Sequence, residues 1–124
     1  MLRRKSEPPF LPSAPYLRRS QVVLLYHPAD QEQATEVHAM LQGAGYNCLL
    51  FEPSASLDTV SAGVASADAV LVALSSDYKD SSQCRTQANF AYYELGRKMV
   101  FLQATPGYRA DGWLAELVRK APRV

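Results

Sequence analysis

Chemically reactive side chains of this sequence collect where predicted strands end. Ligands of open parallel sheets bind beyond the carboxyl ends of the strands, so a pocket is expected at that edge. Its candidate lining residues are Tyr26, His27, Asp30, Glu52, Asp77, Ser81 and Cys84. Cys84 stands at the start of a predicted helix, where a thiol pKa can be lowered. A Ser-His-acid triad at this edge stays open, although no GxSxG motif accompanies it.

Sequence motifs for the common cofactors are absent. The chain has no GxxxxGK[ST] loop, no GxGxxG fingerprint and no His/Cys spacing typical of zinc. We therefore expect no metal and no required cofactor. His38 lies beside the apolar stripe of the first predicted helix and is interpreted as a packing residue. His27 stands at the expected pocket, where a plain loop role is favoured over a functional one.

Four continuous apolar runs of strand length predict strands buried on both faces, as in parallel sheets. They are Gln21–Tyr26, Tyr46–Phe51, Ala69–Leu74 and Lys98–Gln103. Helices are predicted from an Asp30 cap to Gly43, at roughly 56–66, over Gln83–Leu95 and over 112–120 behind an Asp111 cap, with Ser75–Ser82 as a polar loop. This alternation predicts a flavodoxin-like, three-layer α/β sandwich whose parallel sheet has about four strands in the order 2-1-3-4.

Charge divides the chain into two parts. Residues 1–20 carry five bases, one acid and four of the eight prolines, which predicts a basic, disordered or extended leader. A solvated leader is favoured over one that contacts an anionic membrane or an acidic partner. Residues 21–124 carry eight bases and eleven acids, which argues against nucleic-acid binding, and they form the predicted domain. Two cysteines without a secretory signal indicate a reducing, cytoplasmic environment.

Four segments in this order resemble the Toll/interleukin-1 receptor (TIR) domain family, especially its compact bacterial-like and invertebrate branch. The most specific is Leu74-Ser-Ser-Asp-Tyr-Lys-Asp-Ser-Ser-Gln-Cys-Arg85, which is similar to the family pattern (L/M)S-x-x-YKDSxxCR. The others are Leu25-Tyr-His-Pro-Ala-Asp30, Gly43-Ala-Gly-Tyr46 and Gly107-Tyr-Arg-Ala-Asp-Gly-Trp-Leu114. The resemblance covers nearly all of residues 21–118.

The resemblance implies two roles, signalling through contacts between TIR domains and hydrolysis of NAD. In the enzymatic members a glutamate lies three residues after the cysteine of the pattern, and here that catalytic position holds Gln87. Loss of a well-placed charge that stabilises a transition state costs on the order of 10²–10³ in rate. Glu94 lies seven residues further, roughly 10 Å along a helix, and cannot reach the same atom.

Two departures from the family concern assembly. The loop after the second strand, which many members use for self-association, is reduced to a few residues. Trp113 and this loop are the candidate interaction residues, the loop contributing Glu52, Pro53 and Ser54. A fifth strand is missing or vestigial, which leaves an open edge at strand four. Exposed edges invite pairing, so self-association as a homodimer or filament is a hypothesis.

The favoured interpretation is a TIR-like interaction module that is weak or inactive as an NAD hydrolase. Its partners would be other TIR domains or a second copy. One alternative is an NAD glycohydrolase or cyclase that uses a displaced acid. Another is a module that binds NAD or a related nucleotide without turnover.

Overall fold

A computed structural model describes residues 20–51 and 55–121 of the chain. Its centre is a four-stranded, all-parallel sheet in the order β2-β1-β3-β4, as predicted. The strands are β1 (Gln21–Leu25), β2 (Asn47–Leu50), β3 (Ala69–Leu74) and β4 (Met99–Gln103). β3 is almost entirely buried because it lies inside the sheet and is apolar at every position. Within the described residues no fifth strand pairs with β4.

Helices cover both faces of the sheet and give the predicted three layers. They are α1 (Gln31–Gly43), α2 (Leu57–Ala65), α3 (Ser76–Asp80), α4 (Ser82–Asn89) and α5 (Gly112–Lys120). The larger core lies under α2, α4 and α5 and includes Val23, Val70 and Leu114. The smaller core lies under α1 and is built on Leu24 and Leu71. No helix among the described residues is long and apolar enough to cross a membrane.

The segment predicted as a polar loop, Ser75–Ser82, contains the short helix α3. Its first turn is stabilised by the Ser75 hydroxyl, which accepts a hydrogen bond from the backbone N–H of Tyr78 at 3.1 Å. Tyr78 is fully buried and anchors the helix on the larger core. The loop prediction was wrong because a single apolar residue in a polar stretch gives no periodicity.

The helix predicted over Gln83–Leu95 begins one residue earlier and changes its winding. α4 passes into a π-helical turn over Phe90–Glu94. Gly96 follows with a φ of 62°, a left-handed conformation that suits glycine at a helix end. This turn lies at the amino end of the sheet, opposite the edge where the predicted pocket residues gather.

Both aspartates predicted as helix caps stand at the cap positions of their helices, but neither side chain makes the capping hydrogen bond. Asp30 is buried and turns toward the sheet, whereas Asp111 lies near the Lys79 ammonium at 3.9 Å. Residues 1–19, which include almost all of the predicted leader, lie outside the described residues. So do Glu52, Pro53 and Ser54.

Candidate functional site

A pocket of about 110 Å³ opens at the carboxyl edge of the sheet, between the end of β1 and the start of α4. The structure brings five predicted site residues together in its lining: Tyr26, His27, Ser81, Cys84 and Gln87. The remaining lining residues are Leu24, Leu25, Pro28, Phe51, Val60 and Gln83. The pocket therefore has apolar walls and a small set of hydroxyl, imidazole, thiol and amide groups.

The end of β1 positions the first two polar residues. The Tyr26 hydroxyl donates a hydrogen bond to the backbone oxygen of Phe51 at 2.9 Å, which ties the end of β1 to the end of β2. His27 stops the strand, and its Nδ1 accepts from the backbone N–H of Ala29 at 3.0 Å. That bond caps the short 3₁₀ turn Pro28–Asp30 that leads into α1. His27 thus has the loop role expected of it and also lines the pocket.

The first turn of α4 supplies the opposite wall. The Ser81 hydroxyl caps this helix by accepting from the backbone N–H of Cys84 at 3.2 Å. Gln83 and Gln87 are four residues apart and so lie on one face of the helix. Both of these amides line the pocket.

The thiol of Cys84 is not activated. Burial raises its pKa, the hydrogen bond with Ser81 lowers it, and the nearby Asp30 carboxylate raises it further. The sequence-based expectation of a lowered pKa was wrong because the thiol is 4% exposed. Desolvation of the thiolate outweighs the favourable position at the helix start.

Asp30 lies beneath the pocket and not in its lining. It is 6% exposed, and its carboxylate accepts a hydrogen bond from the Ser75 hydroxyl at 2.5 Å. Because Ser75 also caps α3, this pair fixes the start of α1 against the end of β3. In this structure Asp30 joins elements of the fold and has no access to a ligand in the pocket.

Three other predicted residues lie elsewhere. Asp77 is exposed on α3 and is not part of the lining. Trp113 is half-buried: its indole N–H donates to the Lys79 backbone oxygen at 2.8 Å, and the Arg85 guanidinium lies 5.8 Å from its ring centre. His38 has the packing role predicted for it, since its Nε2 donates to the backbone oxygen of Cys48 at 3.0 Å.

Sequence reasoning missed several lining residues. Gln83 could have been predicted, because it precedes Gln87 by one helical turn and so lies on the same face of the helix. Phe51 and Val60 carried no such signal, since apolar residues that wall a pocket look the same in sequence as residues of a core.

Comparison with known proteins identifies the family and the fold of this chain. The sequence model of the TIR domain matches residues 22–117. No curated protein matches the sequence. The chain is similar in fold to the crystal structure of the TIR domain of the Toll-related receptor TRR-2 from Hydra magnipapillata, with a TM-score of 0.62, 14% sequence identity and 77% of each chain covered. The family match extends over most of the chain, and this protein belongs to the TIR domain family.

Proposed function

We propose that this chain is a TIR signalling module that acts through protein contacts and turns over NAD weakly or not at all. The observation that carries the proposal is the amide of Gln87 in the pocket lining. Cleavage of the nicotinamide–ribose bond develops positive charge on the sugar, and a carboxylate stabilises that charge. An amide has a similar shape and can donate or accept hydrogen bonds, but it supplies no negative charge.

No carboxylate replaces it among the described lining residues. Asp30 is bound to Ser75 beneath the pocket, and Asp77 lies outside it on α3. Glu94 is exposed in the π-helical turn at the far end of α4. The described lining residues can therefore hold a nucleotide through their hydroxyl and amide groups, but they supply no carboxylate for its hydrolysis.

The test is nicotinamide release from NAD by the full chain and by two glutamine variants. We expect the wild type to be near background and Gln87→Glu to gain on the order of 10²-fold, the usual effect of one well-placed charge. Gln83→Glu is the matched control, because it adds the same charge to the same face one turn away. It should stay at background.

Titration of NAD into the wild type, followed by calorimetry, separates binding from turnover. Binding without nicotinamide release would assign the pocket to nucleotide recognition. Robust turnover by the wild type would overturn the proposal. Equal gains in both glutamine variants would show that charge at the pocket matters but its position does not.

The open edge of β4 is the surface we propose for self-association. The β3 ladder uses Lys98, whose carbonyl accepts from Val70, and Ala104, whose N–H donates to Leu74. Hydrogen-bonding residues alternate along a strand, so the backbone N–H of Phe101 points to the open side. β4 contains no charged residue and no proline that would block edge pairing.

Two substitutions at Phe101 test this edge. Phe101→Pro removes the outward N–H without touching the ladder to β3, whereas Phe101→Ala removes the same ring and keeps the N–H. In light scattering at high concentration we expect the wild type and Phe101→Ala to show dimers or larger species, and Phe101→Pro to be monomeric. A monomeric wild type at all concentrations would contradict self-association, and an unchanged Phe101→Pro would exclude this edge.

A further inference from the structure

The two outer strands of the sheet differ in how their outer edges are covered. β2 forms one edge of the described sheet and β4 forms the other. An edge strand exposes a row of backbone N–H and C=O groups that can pair with another chain, and natural proteins often block such rows. In this chain the β2 edge is blocked by side chains and the β4 edge is not, so the two edges are not equivalent for association.

Two side chains of α1 block the edge of β2. The backbone N–H of Asn47 donates to the backbone oxygen of Ser20 on the β1 side, so the backbone groups of the next residue, Cys48, point outward. The N–H of Cys48 donates to Oε1 of Gln42 at 2.7 Å, and its oxygen accepts from Nε2 of His38 at 3.0 Å. A strand of another chain could pair with Cys48 only by displacing both side chains.

The edge of β4 has no such cover. Its bonds to β3 use Lys98 and Ala104, and the alternation along a strand turns the backbone groups of Met99, Phe101 and Gln103 outward. Within the described part of the chain, no side chain forms a hydrogen bond with the backbone of these three residues. Three outward N–H groups and three outward C=O groups therefore remain for a neighbouring strand.

These outward groups are complementary to a second copy of the same strand. When two β4 strands run antiparallel about Phe101, this residue faces its own counterpart and Met99 faces Gln103 of the second copy. Facing residues of this kind exchange both of their backbone hydrogen bonds, so three facing pairs form six bonds. The strands are then related by a two-fold axis, and each copy contributes the same residues.

The side chains agree with this register. Val100 and Leu102 are half-buried on the α1 side of β4, and each would face the other residue of the second copy. Such pairs bring their side chains close together, so each apolar side chain gains an apolar neighbour. Lys98 lies three residues from Phe101, which separates the two Lys98 residues by six residue spacings, roughly 20 Å. The register therefore brings no like charges together within β4.

We propose that two copies associate through antiparallel β4 strands into a closed two-fold dimer, and that His38 and Gln42 stop it from growing further. The two four-stranded sheets join into one continuous sheet that ends on both sides in a blocked β2 edge. A contact between unlike edges, β4 to β2, would repeat without closing and would give a filament. This proposal rests on the self-association through β4 proposed above and adds its symmetry and its limit.

Disulfide trapping between two full-length variants tests the register. Val100→Cys and Leu102→Cys are oxidised separately and as an equal mixture, while the native Cys48 and Cys84 stay buried. Facing positions have Cα atoms about 4.5 Å apart, within disulfide reach, whereas like positions of the two copies lie on a diagonal of about 7–8 Å. We expect roughly tenfold more disulfide-linked dimer in the mixture than in either variant alone. Equal cross-linking in all three samples would overturn the two-fold register.

The mass in light scattering at increasing concentration tests the limit. We expect the wild type to level off at twice the mass of one chain, and the double variant His38→Ala with Gln42→Ala to grow beyond it. Gln31→Ala with Gln33→Ala is the matched control, because both residues are exposed at the beginning of the same helix, and it should stay a dimer. Adding Phe101→Pro to the first double variant should stop its growth, which would not happen if that variant were merely misfolded and aggregating.

The outcomes separate this proposal from the self-association on which it rests. A wild type that is monomeric at all concentrations would contradict self-association itself and the dimer with it. A wild type that grows beyond the dimer but becomes monomeric with Phe101→Pro would keep the β4 contact and overturn the closed dimer. A dimer that is unchanged by His38→Ala with Gln42→Ala would overturn the blocking role of these two side chains.

Discussion

Two buried oxygen-containing groups beneath the pocket differ in their hydrogen bonding. The Asp30 carboxylate accepts from the Ser75 hydroxyl, whereas the Tyr78 hydroxyl finds no hydrogen-bond partner among the described residues. Both belong to the junction at which α1, α3 and the carboxyl edge of the sheet meet. A buried hydroxyl without a partner costs about 1–3 kcal/mol of desolvation, so the second group is a weak point of the fold.

Replacing Tyr78 by phenylalanine should therefore stabilise the protein. Tyr78 is completely buried, so Tyr78→Phe keeps the ring in the core and removes only the unpartnered hydroxyl. We expect the free energy of unfolding in urea at pH 7 to rise by about 1 kcal/mol. Tyr46→Phe is the control: Tyr46 is exposed, so removing its hydroxyl should hardly change the free energy of unfolding of the protein. A loss of stability in Tyr78→Phe would show that the hydroxyl has a partner after all.

The same variant should alter the dependence of stability on pH. Burial raises the pKa of Tyr78 well above its ordinary value of 10.0, and the nearby Cys84 raises it further. The folded state therefore keeps this proton while the unfolded chain releases it. Stability from this group is complete below about pH 10 and is lost as the pH rises above it, by up to about 1.4 kcal/mol per pH unit. The advantage of Tyr78→Phe should grow from pH 9.5 to 11, and parallel curves for the two proteins would contradict this assignment.

At the level of single residues, sequence reasoning identified most polar residues of the pocket. It did not predict which of them are buried, or how burial changes the pKa of Cys84. Tyr26 and Ser81 could be placed because one follows a strand and the other precedes a helix, whereas Gln87 was placed by the resemblance to the TIR family. The burial of Cys84 and Asp30 could not be predicted from the sequence, because exposed and buried side chains can both follow a strand or begin a helix at the same edge of the sheet. That difference reverses the direction expected for the Cys84 pKa.

Among the elements, α2 shows how packing can outweigh helix propensity. Gly63 lies inside this helix, where alanine would normally be favoured by about 1 kcal/mol. A Cβ at this position would meet the tip of the Phe51 ring, and Phe51 lines the pocket. The glycine therefore lets α2 approach the end of β2 closely and sets one wall of the pocket.

Gly63→Ala should destabilise the protein in spite of its better helix propensity. Overpacking against an aromatic ring costs about 1–3 kcal/mol, which outweighs the gain of about 1 kcal/mol from propensity. We expect a lower melting temperature and a shift of the Phe51 ring toward the pocket. Gly43→Ala, at the end of α1, has open space around the new methyl group and should be neutral or slightly stabilising. Equal melting temperatures of the two variants would show that the Phe51 ring moves aside without a loss of stability.

The elements themselves were largely predictable, for a physical reason. Continuous apolar runs of strand length, separated by helical stripes, are compatible with few arrangements other than a parallel sheet with crossovers. The order 2-1-3-4 was expected from the likeness to flavodoxin-like sheets and was confirmed. The α3 helix and the π-helical turn after Asn89 were missed because both depend on local hydrogen bonds that leave no hydrophobic period.

The whole molecule is asymmetric about its sheet. The core under α2, α4 and α5 contains sixteen buried residues and the core under α1 contains five. Within α1 itself only Ala34 is buried, and the side chains of His38 and Gln42 each form a hydrogen bond with the backbone of Cys48 in β2. Free energy from apolar burial is roughly proportional to the buried area, so the α1 layer contributes much less to the stability of the fold.

This asymmetry predicts that α1 and the edge strand β2 open together before the rest of the domain unfolds. Opening free energies follow local burial, and weakly packed units exchange first. In native-state hydrogen exchange we expect the amides of α1 and β2 to share the lowest opening free energy, and those of β3 to approach the global value. Protection of α1 equal to that of β3 would contradict the argument.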